Sequence, residues 1–285
     1  TVRGAFTWAE TNRSFIFKPA QPLGFGSEYK ITLPAGVKAA TGSGRLANEL
    51  TWNFKVVSLP AVTRTQPQNG ATGVAVGGGV EIWFSAPLNE KTIGPNLTIL
   101  PKPTNVYTYY AEHESRLWIS FDREPQREYT VMLGGKIADP YGNTLGKDYT
   151  LKFRTGDLPA SVTLNTPGMM GAYSTYAETR LTVSHINVSS LTWALYRMPA
   201  DALARLSEDP WSLRNYTPAA ADLIRERTVP LTTSRNTRGV QTLTLSERPG
   251  QALPAGAYYL TVTAPEIIRT TRDWRPPSHV LIVSP

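Results

Sequence analysis

Apolar and polar positions alternate with a period of two along most of this chain, the pattern of half-buried β-strands. Near the start, Phe6 and Trp8 share one strand face and Phe15 and Phe17 a second. Tyr29, Ile31 and Leu33 share a third, and Leu50, Trp52 and Phe54 a fourth. Pro34-Ala35-Gly36 and Thr41-Gly42-Ser43-Gly44 punctuate these runs as turns. Further on, the turn-rich stretch from Thr65 to Val74 leads toward a first strand. Val80, Ile82 and Phe84 then alternate inward, with Trp83 on the opposite face. Runs at 96–100, 106–110, 117–121, 129–133 and 151–153 follow. Seven or so short strands separated by turn signals predict a Greek-key sandwich over residues 60–158.

Part of this pattern occurs twice. Arg127-Glu128-Tyr129-Thr130-Val131-Met132-Leu133 and Asp148-Tyr149-Thr150-Leu151-Lys152-Phe153 repeat Ser27-Glu28-Tyr29-Lys30-Ile31-Thr32-Leu33 and Glu49-Leu50-Thr51-Trp52-Asn53-Phe54. Glu128 follows Glu28 by 100 positions and Phe153 follows Phe54 by 99. Gly142-Asn143-Thr144-Leu145 answers Gly44-Arg45-Leu46, and Ala111-Glu112 answers Ala9-Glu10. A period of this length is one globular domain rather than a solenoid turn of roughly 20–50 residues. On this offset, residues 1–57 are expected to be the C-terminal part of a truncated domain lacking about 40 residues. An unpaired sheet edge or an incompletely covered apolar face is expected there. The linkers Val57-Ser58-Leu59-Pro60 and Thr155-Gly156-Asp157-Leu158-Pro159 both end in Leu-Pro, which predicts a stiff array of domains.

Residues 160–285 carry a different rhythm. Strands are predicted at 161–164, 180–186, 191–198, 228–231, 240–245, 257–263 and 279–283. Between the third and fourth, Ala202, Leu203 and Leu206 fall at helical spacing after Pro199 and before Asp209-Pro210. A second short helix is predicted over 218–227.

Two resemblances attach to these motifs. Pro67-x-Asn69-Gly70-Ala71-x-Gly73-Val74, Ile82-x-Phe84-Ser85-x-Pro87-Leu88, Tyr129-x-Val131-x-Leu133, Ile137-x-Asp139-x-x-Gly142-Asn143 and Phe153-x-Thr155 together resemble a bacterial Ig-like domain. The match covers 60–158 and the surviving part in 1–57. Thr182-Val183-x-x-Ile186-Asn187-Val188-x-x-Leu191-x-x-x-Leu195-Tyr196-Arg197 is one half of the second resemblance. Leu253-Pro254-x-Gly256-x-Tyr258-Tyr259-Leu260-x-Val262 and His279-Val280-Leu281-Ile282-Val283 are the other. These resemble a macroglobulin-type domain of bacterial α2-macroglobulin-like proteins. The resemblance implies an all-β fold of tandem Ig-like and macroglobulin-type β-sandwiches, the last with a short helical insertion. It also implies that the family's thioester motif, bait region and receptor-like end would lie downstream.

Composition narrows the chemistry. The chain has 285 residues, 41% of them hydrophobic, and no long apolar run, so no transmembrane helix is expected. Cysteine is absent, which removes disulfides, thiolate metal sites and a thiol nucleophile from this segment. The net charge is +7, but the basic residues are spread singly through strand-like segments. That argues for a mildly basic surface and against a nucleic-acid partner.

Candidate chemistry is sparse. His113, His185 and His279 are placed in separate strands, with no spacing that would aim two of them at one ion. No Gly-x-Ser-x-Gly elbow occurs, and Gly77-Gly78-Gly79 lacks the lysine and helix of a phosphate cradle, so it reads as a bulge or turn. Asp139-Pro140-Tyr141-Gly142-Asn143 is the best oxygen-ligand cluster, with Asp139 and Asn143 as a weak calcium candidate and a tight turn as the stronger reading. Asn12, Asn96, Asn187 and Asn215 head Asn-x-Ser/Thr sequons. Trp8, Tyr107, Tyr109 and Trp118 offer either a sugar-stacking platform or, in the preferred reading, core and cross-strand pairs.

No catalytic residue and no cofactor is therefore expected. The expected role is a non-catalytic segment of a bacterial α2-macroglobulin-like protease trap in the periplasm, at the cell surface or outside the cell. Its partners would be neighbouring domains of a longer chain, with proteases engaged through the full-length protein. A carbohydrate- or protein-binding stalk of a surface adhesin is the alternative.

Overall fold

The computed structural model describes residues 1–9, 14–39, 42–208, 213, 216–267 and 275–285. Glu10, Thr41, Asp209, Pro210 and the sequon residues Asn12 and Asn215 lie outside the described residues. The chain divides into two compact units, Thr1–Gly156 and Asp157–Pro285.

The first unit opens with two separate antiparallel pairs. β1 (Gly4–Ala9) pairs with β2 (Ser14–Pro19), and β3 (Glu28–Leu33) pairs with β4 (Leu50–Lys55). Phe6 lies opposite Phe17 and Trp8 opposite Phe15, so one face of the first pair is aromatic. Tyr29, Ile31 and Leu33 lie opposite Phe54, Trp52 and Leu50. Among the described residues 1–57 none is buried, and Phe6, Trp8, Trp52 and Phe54 are exposed. The incompletely covered apolar face expected from the sequence is thus present.

The second copy forms a two-sheet sandwich. Its strands are β5 (Val62–Gln66), β6 (Ala71–Val74), β7 (Val80–Phe84), β8 (Leu97–Leu100), β9 (Val106–Ala111), β10 (Arg116–Phe121), β11 (Glu128–Leu133) and β12 (Tyr149–Thr155). One sheet has the order β5-β7-β10-β9 and the other β6-β12-β11-β8, with β6 parallel to β12. Val80, Ile82, Phe84, Leu117, Ile119, Val131, Leu133, Leu151 and Phe153 fill the space between them. Burying a large side chain of this kind stabilises by about 1.5–3 kcal/mol. The alternation of Ile82 and Phe84 inward and Trp83 outward is as the sequence predicts. Seven or so strands are predicted and eight form: β5 ends within the first two residues of the turn-rich stretch from Thr65 to Val74, and β6 closes that stretch. β5 mixes polar and apolar residues and reads as strand only through its pairing with β7.

The second unit is a sandwich of three and five strands. β13 (Ser161–Asn165), β14 (Met170–Ser174), β15 (Arg180–Ile186) and β16 (Ser190–Arg197) precede the helix α1 (Ala200–Glu208). β17 (Leu223–Pro230), β18 (Gly239–Thr244), β19 (Gly256–Thr263) and β20 (Ser278–Ser284) follow it. The sheets run β13-β15-β18 and β14-β20-β19-β16-β17. Val183, Leu191, Trp193, Leu195, Leu243, Tyr258, Leu260 and Leu281 pack between them. α1 lays Ala202 and Leu206 over Tyr259 and Val280 on the other side of the larger sheet, forming a second apolar layer. The Pro199 carbonyl accepts the N–H of Leu203 in its first turn.

Two expectations for this unit are corrected. The second helix predicted over 218–227 is only a single 3-10 turn at Ala220–Asp222, and the rest is β17. β16 offers a free edge there, and its ladder with β17 runs from Ser190–Pro230 to Tyr196–Leu223. That tertiary pairing outweighs the helix-forming Arg and Glu residues. β14 lies outside the predicted strands: Met170-Gly171-Ala172-Tyr173-Ser174 has little strand propensity and forms by parallel pairing with β20.

Candidate functional site

Asp139 occupies a turn closed on itself. Its Oδ1 accepts the backbone N–H of Tyr141 at 2.9 Å and of Asn143 at 2.8 Å, and its Oδ2 accepts the Asn143 side-chain amide at 2.7 Å. Burial raises its pKa, but the donors from Asn143, Tyr141 and Gly142 outweigh this and hold the carboxyl below the usual range. The first copy has Ala39 at the matching place and keeps only the backbone bond, Ala39 N–H to Gly44 O at 2.9 Å. The two residues of the calcium candidate therefore face each other and bind the turn. Among the described residues no group of three His, Cys, Asp or Glu side chains converges as a metal site.

The three histidines are far apart in role. His113 lies in a 3-10 turn between β9 and β10, not in a strand as expected, because Glu112–Glu114 forms the connection. His185 in β15 and His279 in β20 are buried. His279 Nδ1 donates to the Gly168 carbonyl at 3.0 Å, so Nε2, 2.9 Å from the Tyr173 hydroxyl, accepts that proton. Burial lowers the pKa of both buried imidazoles, and for His279 the Gly168 bond opposes that shift. Gly171 packs closely beside this pair, since a Cβ there would sit 3.0 Å from both His279 Nε2 and the Tyr173 ring and these side chains would have to shift to admit it.

The aromatic candidates form cross-strand pairs. Tyr109 lies opposite Trp118, and the Tyr107 and Trp118 rings meet edge to face at 5.9 Å. Tyr107 and Tyr109 remain 63% and 55% exposed. On the same sheet face the Arg64 guanidinium stands 3.6 Å over the Trp83 ring, and Arg116 bonds Glu81 at 2.7 Å. Trp8 meets Phe15 with centroids 6.1 Å apart and is 67% exposed.

Both linkers are tied by side chains. Ser85 Oγ donates to the Leu59 carbonyl at 2.7 Å and accepts the Ala61 N–H at 3.0 Å. Asn236 Oδ1 accepts the Leu158 N–H at 2.8 Å, while its Nδ2 donates to Asp157 Oδ1 at 2.8 Å. Asn187 Nδ2 donates to the Leu158 carbonyl at 2.6 Å. Of the described sequon asparagines, Asn187 and Asn96 both have their amide nitrogens engaged, Asn96 with the Thr92 carbonyl at 2.8 Å. No signal in the sequence marked Asn236 or the buried Arg123, and Ser85 stood in the Ig-like motif without a role, since each matters only through residues distant in the chain.

The bacterial Ig-like domain family matches residues 1–56 and 57–155. An α2-macroglobulin homolog of Nostoc sp. is 25% identical over 197 residues, covering 65% of this chain and 10% of that protein's length. The structure of Salmonella α2-macroglobulin reacted with methylamine shares 19% identity at a TM-score of 0.58 and covers 80% of this chain. A mutant of the Salmonella protein gives the same TM-score at 20% identity. The chain corresponds to 13% of each Salmonella structure. With Ig-like matches over more than half its length and an α2-macroglobulin-like sequence and fold, this chain belongs to the bacterial Ig-like domain family.

Proposed function

We propose that this chain is a non-catalytic structural segment of the N-terminal region of a bacterial α2-macroglobulin-like protease trap in the cell envelope. The observation that carries this reading is sequence similarity to an α2-macroglobulin homolog over 197 residues, more than either unit alone contains. Its domains are 1–57, 60–158 and 160–285, and its immediate partners are neighbouring domains of the same longer chain. The polar clusters described above bind turns and linkers rather than converge on a reacting atom, which favours a geometric role. Protease capture belongs to the full-length protein.

The test compares the full-length reading frame with the isolated 285-residue chain. The full-length protein should shield a bound protease from a large substrate, and the isolated chain should neither inhibit proteases nor hydrolyse esters, peptides or glycosides. Catalytic turnover by the isolated chain would overturn the reading. The adhesin alternative has one observation in its favour, the exposed Tyr107 and Tyr109 beside Trp118. Micromolar binding of one glycan class, lost in Tyr107→Ala, would establish it instead.

A further inference from the structure

Arg123 is a buried cation without a counter-ion. Only 8% of the residue is exposed, and among the described residues no carboxylate lies within ion-pair reach of it. Its Nη2 donates to the Gly78 carbonyl, while Nε and Nη1 are shielded from solvent and have no acceptor. The guanidinium carbon stands 5.7 Å from the Phe121 ring and 5.8 Å from the Phe153 ring, against the edge of the core. A desolvated donor without a partner is unfavourable, and a desolvated charge without one more so. Desolvation accordingly pushes the guanidinium pKa down, with Tyr129 opposing.

The same side chain forms part of the wall of an open cleft of about 460 Å³, shared with Gln66, Gln68, Thr72, Gly77 and Gly79. The glycine run leaves this wall bare. A Cβ on Gly77 would touch nothing within 4 Å, and Gly78, at φ +100°, takes a conformation other residues rarely adopt. The first copy has neutral Gln21 at the matching place, two residues beyond the Pro19 that answers Phe121. The feature is therefore particular to the second domain.

We propose that this cleft is a carboxylate-binding site in which Arg123 supplies a positive charge that no carboxylate among the described residues balances. A carboxylate fits better than a phosphate dianion, because among the described residues Arg123 is the only cationic side chain in the cleft wall. Planar carboxylate oxygens also match the guanidinium fork. The Gln66 and Gln68 amides provide neutral donors around it.

The test is a ¹H–¹⁵N NMR titration of the 285-residue chain at constant ionic strength, reading the Arg123 Nε–H and the Gly78 N–H. The probes are acetate, N-acetylglutamate amide, acetyl-diglycine, inorganic phosphate and chloride. Saturable shifts are expected at both protons with the carboxylates, at least tenfold weaker with phosphate and absent with chloride. The tightest of the three carboxylates identifies the source as a free acid, a glutamate side chain or a peptide C-terminus. Arg123→Met should weaken carboxylate binding at least tenfold. No saturable shift in the wild-type chain, or equal binding by chloride or by the variant, would overturn the proposal. The wild-type titration decides the matter even where the variant does not fold.

Discussion

Asn187 and Asn236 hold each other across 49 residues: the Asn236 backbone N–H donates to Asn187 Oδ1 at 2.6 Å, and Asn187 Nδ2 donates to Asn236 Oδ1 at 3.0 Å. Both residues have left-handed backbones, at φ +52° and +61°, a region asparagine tolerates better than most residues. Together they clasp the peptide groups of Leu158. Asn236→Ala should therefore destabilise the second unit by about 1–3 kcal/mol, through lost hydrogen bonds and left-handed strain. Asn236→Gly keeps the backbone conformation and should cost less than Asn236→Ala. Urea denaturation measures the difference, and hydrogen exchange at the Leu158 amide should quicken in both.

The core of the second copy makes a sharper contrast between neighbours. Phe84 is 6% exposed among the sheet-to-sheet core, whereas Trp83 lies on the outer face beneath Arg64. Phe84→Ala should cost about 3–5 kcal/mol. Trp83→Ala loses a largely solvated cation–π contact of about 0.5–1 kcal/mol. Equal losses in chemical denaturation would mean the strand register is wrong.

The Asp139 turn predicts a dependence on charge and an indifference to calcium. Asp139→Ala should destabilise the second copy by about 1–3 kcal/mol, since two backbone N–H groups lose their acceptor. The folded-state pKa is depressed, so the carboxylate's contribution is present above the unfolded value and is lost as pH falls through the folded one. We expect no change in thermal midpoint between millimolar calcium and chelator. A calcium-dependent rise that vanishes in Asp139→Ala would assign the turn to the ion.

His279 and His185 give the second unit an acid limit. Their folded-state pKa values lie below the ordinary 6.5, so the unfolded chain binds protons first. The stability of the neutral imidazoles is complete above that ordinary value and declines as pH falls below it. The slope reaches up to about 1.4 kcal/mol per pH unit for each histidine. Denaturation curves at pH 7.5 and pH 5 should show the loss, and His279→Gln should reduce it. An unchanged pH dependence in that variant would place the acid sensitivity elsewhere.

Local alternation and internal repetition were enough to settle much of this protein from its sequence. Tyr29 stacks on Phe54 at 5.6 Å and 21°, and Tyr129 on Phe153 at 5.8 Å and 26°, so the repeated motif builds the same cross-strand pair twice. Burial of that pair was decided by tertiary structure. Phe153 is 2% exposed because β5 to β8 close the sandwich over it, whereas Phe54 is 40% exposed. Period-two alternation states which side chains share a face, but not what covers it. The same limit explains β17, whose pairing to β16 overrode a helical composition, and β14, which exists only beside β20. It explains the sites as well: Arg123 with Gly78, and Asn187 with Asn236, are joined by chain reversals that no short motif records. Hydrophobic period is a property of neighbours in sequence, whereas desolvation and hydrogen-bond closure are properties of neighbours in space.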